Sequence, residues 1–296
     1  MSELYKYFLS ELWIASTCSF ILGILIGSFL NVVIHRLPKM MEAEWKEQCE
    51  ELLCVAQTEE EQTSISAPYN LIVPRSRCPH CGHGIKSYEN IPVISYLFLR
   101  GKCSACKAPI SLRYPIIELV TGLLSLAVIY VFGPTAAGLA ALVLTWCLVA
   151  LTMIDFDTQL LPDSITLPLV WLGLIVNYFG LFTSLESALW GAVGGYLFLW
   201  SIYWLFKLLT GKEGMGYGDF KLLAALGAWF GWAYLPQIIL LSACVGALVG
   251  IALMIIKRRG KDIPIPFGPY LAAAGWIALI WGEQINRYYL SVALPH

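Results

Sequence analysis

Long apolar runs separated by short polar segments make up most of the chain. They fall at about residues 12–34, 114–133, 136–154, 165–182, 188–209, 220–233, 235–256 and 268–282. Most approach the roughly 20 residues that an α-helix needs to cross a bilayer. The sixth is the shortest. It either starts within the membrane near Asp219 or forms a hairpin with the seventh through Trp232-Ala233-Tyr234-Leu235-Pro236. Connections such as Gly133-Pro134-Thr135 are short, so the helices are expected to pack as one bundle. Small residues in Gly191-Ala192-Val193-Gly194-Gly195 and Gly246-Ala247-Leu248-Val249-Gly250 favour close helix contact. The pattern predicts an all-α polytopic membrane protein with about eight transmembrane helices. A mean hydropathy of +0.70 and 58% hydrophobic residues agree with it.

One long polar stretch interrupts the pattern between the first and second runs. It divides the chain into an N-terminal helix (residues 1–35), a small inserted domain (36–113) and a membrane bundle (114–296). The insert's first part, Met40 to about Ser66, is charged and predicted helical before turning loop-like. Its second part carries Cys78-Pro79-His80-Cys81 and Cys103-Ser104-Ala105-Cys106, with 21 residues between the pairs. Two Cys-x-x-Cys knuckles at this spacing suit tetrahedral zinc. Four thiolates fill the coordination sphere, so the metal is expected to be structural, stapling a segment too small to fold alone. A pair of redox dithiols is the alternative. Of the other cysteines, Cys18, Cys147 and Cys244 lie in apolar runs and read as packing residues, while Cys49 and Cys54 are isolated in the polar segment.

The net charge of −1 says little about partners and gives no reason to expect nucleic acid. The distribution says more. With eight spans, all but Lys6 and Arg287 of the 19 Lys and Arg residues fall on one membrane face. The positive-inside rule makes that face cytoplasmic and puts both termini outside. A cytoplasmic insert also disfavours disulfides at the cysteine pairs.

The remaining chemistry is acidic. Gly214-Met215-Gly216-Tyr217-Gly218-Asp219-Phe220-Lys221 places an acid after three alternating glycines, just before an apolar run. Glycine lacks a Cβ, so such a segment can take φ > 0 and let another backbone approach closely. Asp155 ends the third run and comes out at the same predicted face. Two carboxylates from different helices at one interface are the minimum equipment of an aspartic protease. Asp157 and Asp163 lie nearby; Asp157 reads as a turn residue and Asp163 as the N-cap of the fourth span. Either is an alternative partner for Asp219, and periodicity does not choose. Asp262, beside a basic run, reads as a loop residue. Asn31, near the cytoplasmic end of the first run, can bind substrate backbone or hydrogen-bond a neighbouring helix. A transporter with an acidic relay predicts acids deep within the spans, whereas these sit at helix ends. A zinc adaptor without chemistry leaves both aspartates unexplained.

Gly27-Ser28-Phe29-Leu30-Asn31-Val32-Val33-Ile34-His35-Arg36-Leu37-Pro38, the two cysteine pairs, Glu89-Asn90-Ile91-Pro92, Ile154-Asp155, Leu161-Pro162-Asp163, the Gly216-to-Lys221 segment and Pro266-Phe267-Gly268-Pro269 together resemble a known family. It is the bifunctional type IV prepilin leader peptidase/N-methyltransferase family of Gram-negative bacteria, and the resemblance covers nearly the whole chain. It implies an inner-membrane aspartic endopeptidase with Asp155 and Asp219 as catalytic acids and Cys78, Cys81, Cys103 and Cys106 as the zinc site. It also implies cleavage of the basic leader from type IV prepilins and type II secretion pseudopilins. Methylation of the new N-terminal residue by S-adenosylmethionine would follow, with Gly101 and Lys102 matching the positions linked to methyl transfer. Membrane lipid is the other expected partner.

Overall fold

The computed structural model describes residues 2–52, 69–257 and 266–293. Cys54, the loop-like end of the charged segment and Asp262 lie outside these residues. Nine α-helices are present among the described residues: α1 (Ser2–Leu52), α2 (Ile94–Phe98), α3 (Arg113–Phe132), α4 (Ala136–Thr158), α5 (Asp163–Tyr178), α6 (Leu185–Thr210), α7 (Tyr217–Phe230), α8 (Leu235–Lys257) and α9 (Gly268–Ala293). Each predicted apolar run has its helix, and no strand occurs among the described residues. Five helices are long and apolar enough to cross a membrane: α1, α3, α4, α6 and α8. The sequence-based count of eight therefore exceeds what length and composition support here. The 16-residue α5 and the 14-residue α7 account for part of the gap. At about 1.5 Å per residue, α7 spans only about 21 Å.

Two compact units emerge. One comprises Thr17–Leu126, the other Met1–Ser16 with Ala127–His296. In the first, α1 presents Ser19, Gly23, Gly27 and Asn31, each one helical turn from the next, to α3. The Ser19 hydroxyl donates to the Ser125 carbonyl (3.2 Å) and the Asn31 amide to the Tyr114 carbonyl (3.2 Å). Side chains at Gly23 and Gly27 would lie 2.4 Å from Ser125 Oγ and 2.8 Å from Glu118 Cα. Asn31 thus takes the helix-bonding role. The charged segment after the first run does not start a new helix, because α1 continues through Pro38 to Leu52.

The second unit is built around α7. Asp219, Phe220 and every residue from Leu222 to Phe230 are buried. A helix apolar on all sides has to be surrounded, and α5, α6 and α9 surround it. Glycines set the approach. A Cβ at Gly191 would lie 2.2 Å from the Gly227 carbonyl oxygen, and one at Gly195 would lie 2.7 Å from that of Leu223. The predicted small-residue contact is therefore α6 against α7. At the end of α7 away from Asp219, buried Asn177 donates to the Ala228 (2.8 Å) and Trp229 (2.9 Å) carbonyls. Its own oxygen accepts from Phe182 and Thr183 at 3.1 and 3.0 Å. Trp229 Nε1 adds a bond to the Leu169 carbonyl at 2.9 Å. Cys18 and Cys244 are exposed on their helices instead of packing inward.

Candidate active site and metal centre

Asp155 is buried near the end of α4, and Asp219 is buried in the first turn of α7. They are near enough for the charge of Asp155 to be felt at Asp219, whose burial is the larger influence. Leu161, in the α4–α5 connection, helps bring their surroundings together. A Cβ at Gly218 would lie 2.6 Å from Leu161 Cβ, and one at Gly268 would lie 3.2 Å from Leu161 Cδ1. The Gly268 amide faces the Asp155 carboxyl. A Cβ at Gly268 would stand only 2.6 Å from Asp155 Oδ2. Oδ2 itself is buried with no hydrogen-bond partner among the described residues. A buried carboxylate oxygen without a partner is a costly arrangement that wants a further donor.

The glycines before Asp219 do their work by a different route from the one the sequence suggests. None of Gly214, Gly216 and Gly218 has positive φ. They make room for side chains: Phe206 at Gly214 (2.8 Å to a built Cβ) and Leu161 at Gly218. Gly216 is the N-cap of α7, and its carbonyl accepts the Asp219 amide at 3.3 Å. The loop ahead of it is pinned by Lys207, which donates to Glu213 Oε1 (2.8 Å) and Tyr203 Oη (3.1 Å). That ammonium holds the exposed Glu213 carboxyl below the usual carboxylate range.

The two alternative acids are placed elsewhere. Asp163 is the first residue of α5 and not its cap. Pro162 occupies the N-cap, and its carbonyl accepts the Ile165 and Thr166 amides. The Asp163 carboxylate is half exposed and receives Lys221 Nζ at 2.6 and 2.7 Å. Lys221, two residues past Asp219, is thereby drawn toward α5. Asp157 is exposed in the last turn of α4 and not in a loop.

The four cysteine Sγ atoms lie within 4.8 Å of one another, with Cys78 and Cys106 at 3.8 Å. A tetrahedron with Zn–S bonds of about 2.3 Å has sulfur–sulfur edges of about 3.8 Å, so the cluster fits zinc. The two knuckles repeat each other bond for bond. Cys78 N donates to His83 O and Gly82 N to Cys78 O; Cys103 N donates to Ala108 O and Lys107 N to Cys103 O. Gly82 and Lys107 hold the same positive φ, 71° and 62°. Backbone amides directed at sulfur, from Cys81 and His80, lower the Cys78 thiol to about 7. Those of Cys106 and Ala105 lower Cys103.

Glu89 ties the knuckles together. It accepts from the Lys86 amide (2.9 Å) and bonds the Ser104 hydroxyl, which together hold its carboxyl below the usual range. His83 Nε2 is 3.4 Å away. Gly101 has φ 66°, and a Cβ there would lie 2.6 Å from Tyr96 Oη; Lys102 is exposed beside it.

In the sequence Gly268 and Glu89 stand out only as parts of motifs, and nothing local marks Asn177 or Glu118. The knuckle repeat, Arg77-Cys78 to Ile85 against Lys102-Cys103 to Ile110, was the one available signal for the shared turn geometry.

Residues 21–132 match the family model described as Bacterial Peptidase A24 N-terminal domain. Residues 142–251 match that of the Type IV leader peptidase family. A relative named prepilin leader peptidase/N-methyltransferase from Stutzerimonas stutzeri is 61% identical over 276 residues, covering 93% of this chain and 94% of its own length. Relatives of the same name from Pseudomonas aeruginosa and Aeromonas hydrophila are 60% identical over 276 residues and 57% over 279. They cover 93% and 94% of this chain and 93% and 95% of their own lengths. No solved structure matches the chain.

Proposed function

Since the chain belongs to the type IV leader peptidase family, we propose that Asp155 and Asp219 are the two acids that cleave its substrate. The enzyme is a leader peptidase and N-methyltransferase of the bacterial inner membrane. Its substrates are type IV prepilins and, by the same chemistry, pseudopilins. The observation that carries the acid assignment is a pair of buried carboxyls on two helices, Asp155 and Asp219, near enough for the charge of one to act on the other. One carboxylate takes the proton of an attacking water while the other, protonated, donates to the scissile carbonyl. Peptide hydrolysis then needs no covalent intermediate. The Gly268 amide orients Asp155, and Leu161 closes the space between the flanking glycines. The Lys and Arg distribution supports a site at the cytoplasmic face, where the basic leader of a helical prepilin would meet it.

Methyl transfer belongs to the other unit. The two family models divide the chain, and the leader peptidase model already contains both aspartates. S-adenosylmethionine is the donor, and Gly101 and Lys102 are the residues the resemblance assigns to this step. Cys78, Cys81, Cys103 and Cys106 would hold zinc. Bound there, the ion staples the knuckles, because four protein ligands leave no position for substrate.

Asp155→Asn and Asp219→Asn should each abolish prepilin cleavage, while Asp157→Asn and Asp163→Asn keep at least part of it. Cleavage followed by mass on purified enzyme checks this. Wild-type-like cutting by either of the first two variants overturns the assignment.

A further inference from the structure

Glu118 is a carboxylate in a membrane helix that the peptidase chemistry does not use. It lies in α3 and is 8% exposed. Burying such a group within a membrane span is expensive, and an intramembrane acid is a functional candidate by default. Its Oε2 accepts the Val93 amide at 2.7 Å, and the Ser28 hydroxyl of α1 donates to the same carboxylate. α1 is pressed against it, since a Cβ at Gly27 would lie 2.8 Å from Glu118 Cα.

What the carboxylate holds is unusual backbone. Val93 has φ 59° and ψ −50°, and the Ile94 amide donates back to the Pro92 carbonyl. This is a γ-turn of the rare, strained hand, centred on a β-branched residue, for which positive φ is an outlier. Strain of this kind persists where the surroundings over-determine it, and it gathers at functional sites. α2 starts at the next residue. Its Tyr96 hydroxyl donates to the Ile110 carbonyl (3.3 Å) and fills the space that a side chain at Gly101 would need. Ile110 in turn donates to the Gly101 carbonyl at 2.7 Å. A continuous set of contacts therefore runs from Glu118 through the Val93 turn and α2 to the turn that opens the second knuckle.

We propose that Glu118 is a positioning residue for methyl transfer: its carboxylate holds the Val93 γ-turn, and that turn sets the Tyr96–Gly101 contact. The inference rests on the reading that methyl transfer belongs to the first unit. Glu118→Gln keeps a side-chain oxygen to accept from Val93, whereas Glu118→Ala removes it. Glycine adopts positive φ without a Cβ penalty, so Val93→Gly makes the carboxylate dispensable.

The test uses full-length enzyme, a prepilin and S-adenosylmethionine, reading cleavage and methylation by mass together with metal content. Glu118→Ala should lower the methylation rate by about tenfold or more, as a small misplacement of reacting groups does, with cleavage and metal content unchanged. Glu118→Gln should stay near wild type, and Glu118→Ala combined with Val93→Gly should recover. A filled-cavity or bulk-stability role predicts no recovery from Val93→Gly. The proposal is overturned if the double variant methylates as poorly as Glu118→Ala. It is equally overturned if Glu118→Ala methylates normally or loses cleavage in step. A parallel Cys103→Ser arm that keeps full methylation would instead remove the assignment of methyl transfer to this unit.

Discussion

Asp219 and the four cysteines sit in regions held together by opposite means. Around Asp219 the chain is packed helix: α7 is buried almost from end to end, glycines let α6 touch its backbone, and Asn177 and Trp229 fasten its far end. Around the cysteines, among the described residues, there is little helix and two isolated β-bridges, Arg77 with Gly84 and Lys102 with Pro109. Turns and hydrogen bonds replace apolar burial there, and Cys81 and Cys106 are exposed. The first region is positioned by packing that survives without a ligand. The second brings four sulfurs together in a cluster that could hold a metal ion. Injury to each should therefore look different.

The largest expected effect is on the metal region. Metal affinity in such small domains is folding free energy, roughly 10–16 kcal/mol for structural zinc sites. Serine at any of the four cysteines, or chelation, should remove about one metal per chain and unfold the knuckles, while helix content is largely kept. Metal analysis and circular dichroism on one sample check this. Metal-free protein carrying disulfides at these positions would break the comparison.

Next comes Gly268→Ala. Its new methyl would overlap Asp155 Oδ2 at 2.6 Å. The carboxyl has to move, and a displacement of about 1 Å is enough to lower a rate by about a hundredfold. The loss should appear in kcat for cleavage, with thermal stability and methylation little changed. Normal cleavage by this variant would mean that the acid does not depend on the space left at residue 268.

Asn177→Ala sharpens the contrast from the packing side. It leaves two carbonyls and two amides without their partner. An unmade buried bond costs about 1–3 kcal/mol, so stability in detergent should fall measurably and cleavage should weaken only through the loosened α7. A fully stable variant would show that water or lipid replaces the clamp.

The parts of this arrangement that were legible in the sequence are those written locally. Apolar runs gave the helices, Cys-x-x-Cys spacing gave the sulfur cluster, and acids at the ends of runs marked Asp155 and Asp219. Contacts between distant segments left no such mark. Nothing near Gly268 says that it faces Asp155, and nothing near Val93 says that Glu118 turns it. Asp163 misled because an acid before an apolar run reads as a cap. Pro162 takes that place, and the carboxylate instead pairs with Lys221, remote in sequence. The glycines before Asp219 suggest backbone freedom, yet their use is the space they leave for Phe206 and Leu161. α7 was visible as a short run, but a short run alone does not reveal a buried centre.

The central claim is that two chemistries occupy two separately built regions, and methylation of a prepilin supplied already without its leader tests it most directly. Measured by mass with S-adenosylmethionine, Asp155→Asn and Asp219→Asn should methylate this product at close to the wild-type rate while failing to cut the full-length prepilin. Cys103→Ser should do the reverse. Loss of both activities in all three variants, or methylation that fails in the aspartate variants, would contradict the division.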